Sequence, residues 1–133
     1  MPAVHNIQVG AVEEKTIVVT PEVTISRSNE RLPSILSTPA MIQFMEMTAG
    51  KLIRPHLPDG WISVGVLVNV RHLAATPEGA KVRIQATVTA VEDERITFSV
   101  EAFDEVEKIG DGTHTQALVE LSRFLKRVNR KTL

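Results

Sequence analysis

From Trp61 onward, apolar residues recur at every second position, and this alternation is the feature that most limits the possible folds. A period of two places every second side chain on the same face of a β-strand. Four segments share the pattern and are joined by short connections, so their strands are expected to pair antiparallel in a meander-like sheet. The positions on one face are Ile62, Val64, Val66, Val68 and Val70; Val82, Ile84, Ala86, Val88 and Ala90; Ile96, Phe98, Val100 and Ala102; and Thr115, Ala117, Val119 and Leu121.

Turn-forming residues separate these strands. Residues 76–79 (TPEG) predict a turn before the second strand, and residues 92–94 (EDE) predict a hairpin turn before the third. Residues 110–112 (GDG) are predicted to bend or bulge the chain before the last strand. On that strand His114 would lie on the face opposite Thr115, pointing outward.

A helical pattern precedes the sheet. Ser37 or Thr38 can cap its N-terminus, Pro39 suits its first turn, and Pro55 followed by residues 58–60 (PDG) ends it. Residues at helical spacing form a broad, mostly apolar stripe, so this helix is expected to be wrapped by other structure. The stripe comprises Met41, Ile42, Phe44, Met45, Thr48, Ala49, Leu52 and Ile53.

The segment before the helix contributes one more strand. Residues 15–20 and 23–26 are rich in β-branched residues and predict a strand interrupted at Pro21. Residues 27–36 lose this pattern and form a polar connection, either a lid or an ordinary loop. The order of elements therefore predicts an α+β protein, in which an antiparallel sheet wraps around one long central helix.

Composition limits the classes of function. With 133 residues, 43% of them hydrophobic, residues 1–133 are expected to form a single domain with its own core. The formal net charge of -1 gives no overall field for gripping nucleic acid or an anionic membrane, so neither is expected as a partner. A start without a basic and apolar leader, and no long apolar run, predict a cytoplasmic protein.

Metal and thiol chemistry are not expected either. The sequence contains no cysteine, which excludes disulfides, thiol nucleophiles and thiolate metal sites. Asp104, Glu105 and Glu107 lack a histidine at ligand spacing and are interpreted as a solvated turn. We therefore expect no metal site and no other resident cofactor.

Three polar residues stand in apolar or small-residue surroundings: Thr38 and Glu46 on the helix, and His72 at the end of the next strand. No Lys or Arg lies three or four residues from Glu46 in either direction. An ionisable group in such surroundings needs a partner or a chemical role, and a carboxylate, an imidazole and a hydroxyl suit acid-base chemistry on an acyl group. Simpler roles also fit: an N-cap for Thr38, a solvated helix position for Glu46 and a satisfied strand-end histidine for His72.

Several stretches of the sequence resemble hotdog-fold thioesterases of the fluoroacetyl-CoA thioesterase type. They are residues 37–41 (STPAM) with Glu46, residues 70–79 (VRHLAATPEG) and residues 109–114 (IGDGTH), within a region of similarity from 37 to 125. The resemblance implies a hotdog fold and hydrolysis of an acyl-CoA thioester by a catalytic set of Thr38, Glu46 and His72. It also implies that the backbone at Gly65 approaches the acyl group.

The sequence departs from that family at two places. Gln116 stands where the family often has Arg, two residues after the second histidine of the pattern. Residues 22–36 contain no aromatic residue, whereas fluoroacetyl-specific members carry an aromatic lid there. We therefore expect hydrolysis of a short-chain or otherwise small acyl group, without a preference for a fluorinated one.

Other residues are interpreted as contacts to the substrate. Gly65, Arg71, His114 and Gln116 are assigned to substrate binding, although a purely structural role for His114 stays open. Coenzyme A phosphates have two candidate sets of cations. One is the C-terminal segment with Arg123, Lys126, Arg127, Arg130 and Lys131, and the other is Arg71, Lys81 and Arg83.

A sheet of this kind leaves a strand edge and a partly apolar outer face, with Leu67, Leu73, Val91 and Phe103. Such edges are normally covered, and in hotdog proteins two protomers join their sheets, so we expect a homodimer, or a tetramer, with sites shared between chains. Two other functions fit the same fold: a non-catalytic acyl-CoA binding module, and an enoyl-thioester hydratase. Whether Glu46 activates water or attacks the carbonyl directly is open at this level.

Overall fold

The computed structural model describes residues 5–131. Within them the strands are β1 (Val12–Val18), β2 (Trp61–His72), β3 (Lys81–Glu92), β4 (Arg95–Phe103) and β5 (Lys108–Glu120), and the α-helices are α1 (Thr38–Ile53) and α2 (Leu121–Asn129). All neighbouring strands pair antiparallel in the order β1-β3-β4-β5-β2, which leaves β1 and β2 as the edges. Helix α1 contacts all five strands on one face of the sheet. The predicted α+β architecture is confirmed, but the predicted meander order was wrong, because β2 pairs with β5 at the far edge instead of with β3.

Helix α1 begins where the sequence indicated. The Ser37 side chain accepts a hydrogen bond from the Ala40 backbone N–H, so Ser37 is the N-cap and the Thr38 hydroxyl is left for other partners. The buried stripe is confirmed, since Met41, Met45, Thr48, Ala49 and Ile53 are at most 1% exposed. The helix passes into a 3₁₀ turn at Arg54–His56, which contains Pro55.

The centre of the sheet follows the predicted alternation. Burying such aliphatic and aromatic side chains contributes about 1.5–3 kcal/mol each, which fixes the register of these strands. A register shift between Val88 and Ala90 interrupts the pattern at the end of β3, so that Val91 packs against the core and Ala90 pairs with Thr97 on the outer face. The predictions for Ala90 and Val91 were therefore wrong. The fully buried positions are Val82, Ile84, Ala86, Val88, Ile96, Phe98, Val100 and Ala102.

Strand β2 departs from its prediction. Gly65 pairs with Gln116 and Leu67 with Thr115, so Val66 forms a β-bulge and the alternation changes face there. The prediction of one continuous apolar face from Ile62 to Val70 was therefore wrong. The residues opposite the helix-facing positions of β5 are Ser63, Gly65, Val68, Val70 and His72. As an edge strand, β2 also keeps Val66, Leu67 and Val68 between 45% and 48% exposed in the single chain.

The segment before α1 is only partly extended. Strand β1 starts at Val12 and pairs with β3, ending at Val18. Residues 23–26 were predicted as strand but lie in two 3₁₀ turns, Pro21–Val23 and Ile25–Arg27, apart from one bridge between Thr24 and Leu36. Proline fixes φ near the value of a first helical turn and lacks an N–H for a ladder, so Pro21 starts a turn instead of continuing the strand.

Strand β5 is longer than predicted. It continues through residues 110–112, so the predicted start of the strand after them was wrong. The predicted irregularity lies one residue earlier, at Ile109, between the pairs Ala102–Gly110 and Phe103–Lys108. A Cβ on Gly112 would collide with the backbone of Asn69 on β2, which explains why glycine stands inside this strand. The helix-facing residues of β5 include His114, Gln116 and Leu118, so the prediction that His114 points outward was also wrong. Leu121, predicted as strand, is the first residue of α2.

Helix α2 lies at the end of the sheet, and none of its nine residues is buried. Among residues 5–131, no helix has both the length and the apolar composition needed to cross a bilayer. Asp104 closes the turn between β4 and β5 by accepting hydrogen bonds from the backbone of Val106 and Glu107. Residues 1–4, which entered the prediction of location, lie outside the described residues.

Candidate active site

Thr38 and His72 form one polar pair on the helix-facing side of the sheet. The Oγ1 atom of Thr38 lies 2.7 Å from Nδ1 of His72. Because Ser37 caps the helix, the Thr38 hydroxyl is available for this contact. The pair lines a cleft of about 370 Å³ together with Ile25, Ile35, Leu36 and residues 73–75.

Burial controls the protonation of His72. Partial desolvation lowers the pKa of His72 below its usual value, and the nearby polar backbone of Ala74 opposes this effect. The imidazole is thus favoured in its neutral form at neutral pH, in which one ring nitrogen accepts a proton. Its Nε2 atom is buried and has no hydrogen-bond partner within residues 5–131. Thr38 holds Nδ1, and the unpartnered Nε2 is therefore left as a proton donor or acceptor for a ligand.

Glu46 and Gly65 form a second pair. A Cβ built on Gly65 would lie 2.7 Å from Oε2 of Glu46, so the carboxylate fills the space that any side chain at this position would need. Gly65 immediately precedes the bulge at Val66, where the β2 backbone leaves the regular ladder. The pair lines a groove of about 630 Å³ that also contains Gly50, Arg54, Leu57, Trp61 and Gln116.

The two pairs do not converge within one chain. Thr38 and Glu46 are separated by about 12 Å of helix rise. Gly65 and His72 are separated by six ladder positions, about 20 Å along β2. The three residues predicted as one set therefore divide into Thr38 with His72 at the end of the edge strand and Glu46 with Gly65 near its middle.

A buried hydrogen-bond chain connects the Glu46 end to the sheet. Gln116 Nε2 donates to the backbone carbonyl of Glu46 at 3.0 Å, and the same nitrogen lies 3.1 Å from His114 Nε2. Because that amide nitrogen can only donate, His114 Nε2 accepts, and its protonated Nδ1 donates to the Leu67 carbonyl at 2.8 Å. The chain thus fixes one tautomer of His114 and joins α1 to the bulged part of β2.

His114 and Gln116 were predicted to bind substrate. His114 is 1% exposed and stacks on Phe98, with ring centroids 6.5 Å apart, so its contacts are internal. Gln116 is 2% exposed, although its amide also lines the groove beside Glu46. His114 was noticed because it follows the glycines, and Gln116 because the family often has Arg at that place. The alternation of β5 was assigned to the wrong face, so neither residue was predicted to face the helix.

Arg71, another predicted substrate contact, lies on the outer face of the sheet. Its guanidinium binds Asp111 through two hydrogen bonds of 3.0 and 3.1 Å. Lys108 bridges Asp111 and Glu101, and its hydrogen bond lowers the pKa of Asp111. Arg71 therefore belongs to an exposed ion-pair network on the outer face of the sheet, whereas the Thr38 and Glu46 pairs lie on the helix-facing side.

Solved structures with the same fold identify the class of protein. A crystal structure of a hot-dog-like protein from Thermanaerovibrio acidaminovorans superposes with a TM-score of 0.87 at 28% identity, covering 94% of this chain and 93% of that one. A structure of the fluoroacetyl-CoA thioesterase FlK superposes with a TM-score of 0.90 at 32% identity, covering 96% of this chain and 99% of that one. The fold is a hotdog fold of the thioesterase type.

Sequence comparison narrows the class to a family. The model of the fluoroacetyl-CoA-specific thioesterase family matches residues 19–122. The fluoroacetyl-CoA thioesterase of Streptantibioticus cattleyicolor is 37% identical over 100 residues, which are 75% of this chain and 72% of that protein. The chain belongs to the fluoroacetyl-CoA-specific thioesterase family and is an acyl-CoA thioesterase by that membership.

Proposed function

We propose that the protein hydrolyses a small acyl-CoA thioester to the free acid and coenzyme A, with Thr38, Glu46 and His72 as its catalytic set. The observation that carries this proposal is the Glu46 carboxylate held against Gly65 at the β2 bulge. The hydrogen bond between Thr38 and His72 supplies a second reactive pair on the same side of the sheet.

The active site would be completed by a second copy of the chain. Strand β2 is an unpaired edge whose exposed segment contains Val66, Leu67 and Val68, and such edges are stable when covered. A two-fold, antiparallel pairing of β2 with its copy would bring Gly65 of one chain to within a few residues of the partner subunit's His72. Each dimer would then contain two composite sites, each with Glu46 from one chain and the Thr38 and His72 pair from the other.

The chemistry follows from these groups. The thioester carbonyl would lie at the backbone of Gly65, where no side chain blocks it and a backbone N–H can stabilise the developing oxyanion. Glu46 would either take a proton from the attacking water or attack the carbonyl carbon itself to form an anhydride that water then hydrolyses. In both routes the C–S bond breaks, and the departing thiolate receives a proton.

His72 would manage that proton. The Thr38 hydroxyl can donate to or accept from Nδ1, so it can hold the ring in either neutral tautomer and in one orientation. In the water route, a neutral imidazole accepts the proton that Glu46 has taken from water and passes it to the departing thiolate. In the anhydride route, the thiolate takes a proton from solvent, and the imidazole later takes one from the water that hydrolyses the anhydride. Such acid-base roles are worth about 10²- to 10⁴-fold in rate. These side chains suffice without a resident metal or cofactor.

The acyl group is expected to be small and not specifically fluorinated. Residues 22–36 contain no aromatic side chain, and the apolar residues from this segment in the Thr38 cleft are the aliphatic Ile25, Ile35 and Leu36. The name of the Streptantibioticus relative specifies fluoroacetyl-CoA for that protein, and the absence of an aromatic lid argues against the same preference here.

The first experiment is free-thiol release from a panel of acyl-CoAs by the wild type, Glu46→Gln and His72→Ala. Both variants should lose about 10²- to 10⁴-fold in kcat at equal folded concentration. Thr115→Val, which removes a hydrogen bond to Thr97 on the outer face of β5, is the matched control and should keep full activity. Saturable binding without thiol release from any acyl-CoA would instead establish a binding module. Loss of the enoyl absorbance without free thiol would establish a hydratase.

Mixing the two inactive variants tests the composite site. If each site combines Glu46 of one chain with His72 of the other, a mixed dimer contains one site with both residues intact. Random mixing of equal amounts then restores about a quarter of the wild-type rate, because half the dimers are mixed and each has one intact site. No recovery after subunit exchange, shown by exchange of a labelled subunit, would contradict the shared site while leaving the hydrolase assignment intact.

A further inference from the structure

Helix α2 forms a groove beside the Glu46 groove. Arg123, Phe124 and Arg127 of α2 line a cavity of about 380 Å³ with Trp61 and the end of β5. Trp61 also lines the 630 Å³ groove that contains Glu46 and Gly65. The two cavities are therefore neighbours that share one aromatic side chain.

The cations of this α2 groove differ from those of the sheet. Arg71 is paired with Asp111, and Arg83 is paired with Glu14 at 2.7 Å while its guanidinium lies over the Phe103 ring. Within residues 5–131, neither Arg123 nor Arg127 forms an ion pair. A guanidinium that is not neutralised internally retains its full capacity for a phosphate.

The charge and shape of the groove suit a particular ligand chemistry. Glu94 and Glu120 also line it, but Lys126, Arg130 and Lys131 on the same segment leave the helix strongly positive. Trp61 and Phe124 provide aromatic surfaces of the kind on which a nucleobase stacks. Phosphate-binding arginines next to aromatic rings are the combination that recognises a phosphorylated nucleotide.

The distance to the reactive groups matches the same ligand. Trp61 and Gly65 are four residues apart on β2, about 13 Å along the strand. In an acyl-CoA the thioester is joined to the phosphorylated adenosine by the pantetheine arm, which in an extended conformation spans a distance of that order. A thioester at Gly65 would thus place the nucleotide end of the coenzyme near Trp61.

We infer that the α2 groove binds the 3′-phosphorylated ADP end of coenzyme A, with Arg123 and Arg127 contacting its phosphates and Trp61 or Phe124 its adenine. This assignment rests on the proposed thioesterase function. It selects the C-terminal cations over Arg71 and Arg83, a choice that the sequence left open.

The test compares an acyl-CoA with the same acyl group on pantetheine, which lacks the phosphates and the adenosine. In Arg123→Gln/Arg127→Gln, KM for the acyl-CoA should rise about tenfold with kcat nearly unchanged, and KM for the acyl-pantetheine should not change. The matched control is Lys126→Gln/Arg130→Gln, which removes the same charge from the same C-terminal segment outside the groove. It should raise KM for the acyl-CoA much less than Arg123→Gln/Arg127→Gln does, and it should leave KM for the acyl-pantetheine unchanged. Arg123→Lys/Arg127→Lys should recover part of the acyl-CoA affinity, because it keeps the charge but loses the planar fork.

Two results would overturn the inference. One is an equal rise of KM for both substrates, and the other is an equal effect of the control variant, which would indicate a general field instead of a site. If the wild type releases thiol from neither substrate, the proposed function fails separately. Calorimetric binding of adenosine 3′,5′-bisphosphate then still tests the groove: binding that is lost only in Arg123→Gln/Arg127→Gln supports it, and no binding by the wild type refutes it.

Discussion

Strands β3 and β4 lie inside the sheet, whereas β2 forms an edge, and the two regions use similar residues in different ways. In β3 and β4, alternating Val, Ile, Phe and Ala side chains are fully buried against α1. In β2, Val66, Leu67 and Val68 are about half exposed, and the helix-facing positions include Gly65 and His72. The interior strands hold the fold together, and the edge strand carries two residues of the candidate site beside the surface at which the proposed dimer would form.

The largest expected effect is at the centre of the sheet. Phe98→Ala should lower the free energy of unfolding by about 3–5 kcal/mol, because it leaves a cavity under α1 and beside His114. Chemical denaturation at several protein concentrations measures this. The edge counterpart, Leu67→Ala, should cost less, and its cost should depend on protein concentration because the side chain would pack against the partner in the proposed dimer. A concentration-independent loss in Leu67→Ala as large as that in Phe98→Ala would remove the distinction between the two regions.

A smaller free-energy change at the edge should have the larger catalytic consequence. Gly65→Ala would place a methyl group on the Glu46 carboxylate, and displacement of this carboxylate should lower kcat about 100-fold. Thermal unfolding should shift little, because Gly65 is exposed in the single chain. Ser63→Ala, on the same strand and face, serves as the control and should retain activity. Wild-type kcat in Gly65→Ala would show that the Glu46 and Gly65 pair is not part of the reaction.

The smallest expected effect is a shift in the pH at which kcat/KM falls on the acid side of the pH profile. Because burial lowers the pKa of His72, the imidazole stays neutral below its usual pKa of about 6.5. As a base, His72 loses activity only when it is protonated, so kcat/KM should hold through pH 6.5 and fall at lower pH. The same shift makes the unfolded state bind more protons between the two pKa values, so His72 costs stability as the pH falls through that window and costs nothing above it.

The His72→Ala variant tests whether this pH dependence comes from the edge strand, which ends at His72, and not from the interior of the sheet. In His72→Ala, the residual activity should lose that limb, and the acid-side loss of stability should shrink, as pH-dependent denaturation would show. A limb centred above pH 6.5 in the wild type would mean that His72 is not the desolvated base described here.

The sequence predicted best where burial alone selects residues. The alternation in β3 as far as Val88, that in β4 and the apolar stripe of α1 are direct consequences of packing, and all three were confirmed. The bulge at Val66 was not predicted, because a run of β-branched residues looks the same with or without an extra residue. Residues 110–112 were interpreted as a bend because glycine marks bends, whereas here Gly112 is required by the close approach of β2.

The candidate site was predictable in its members more than in its arrangement. Thr38, Glu46 and His72 were named from residue type and family resemblance, and their catalytic roles stay predictions, as do the single domain and the location. Their division into two pairs follows from the paths of α1 and β2 in space, which cannot be read from the spacing of residues in the sequence. The buried chain through His114 and Gln116 was missed because it depends on the face of β5.

The extra residue at Val66 determines which residues of β2 share a face of the sheet. Gly65 is an odd-numbered position and His72 an even-numbered one, and in a regular strand two such positions point to opposite sides of the sheet. The bulge shifts the alternation by one residue. An odd-numbered position before it and an even-numbered position after it therefore point towards the same helix. Both halves of the candidate site therefore share one surface because β2 contains one residue more than its ladder with β5 requires.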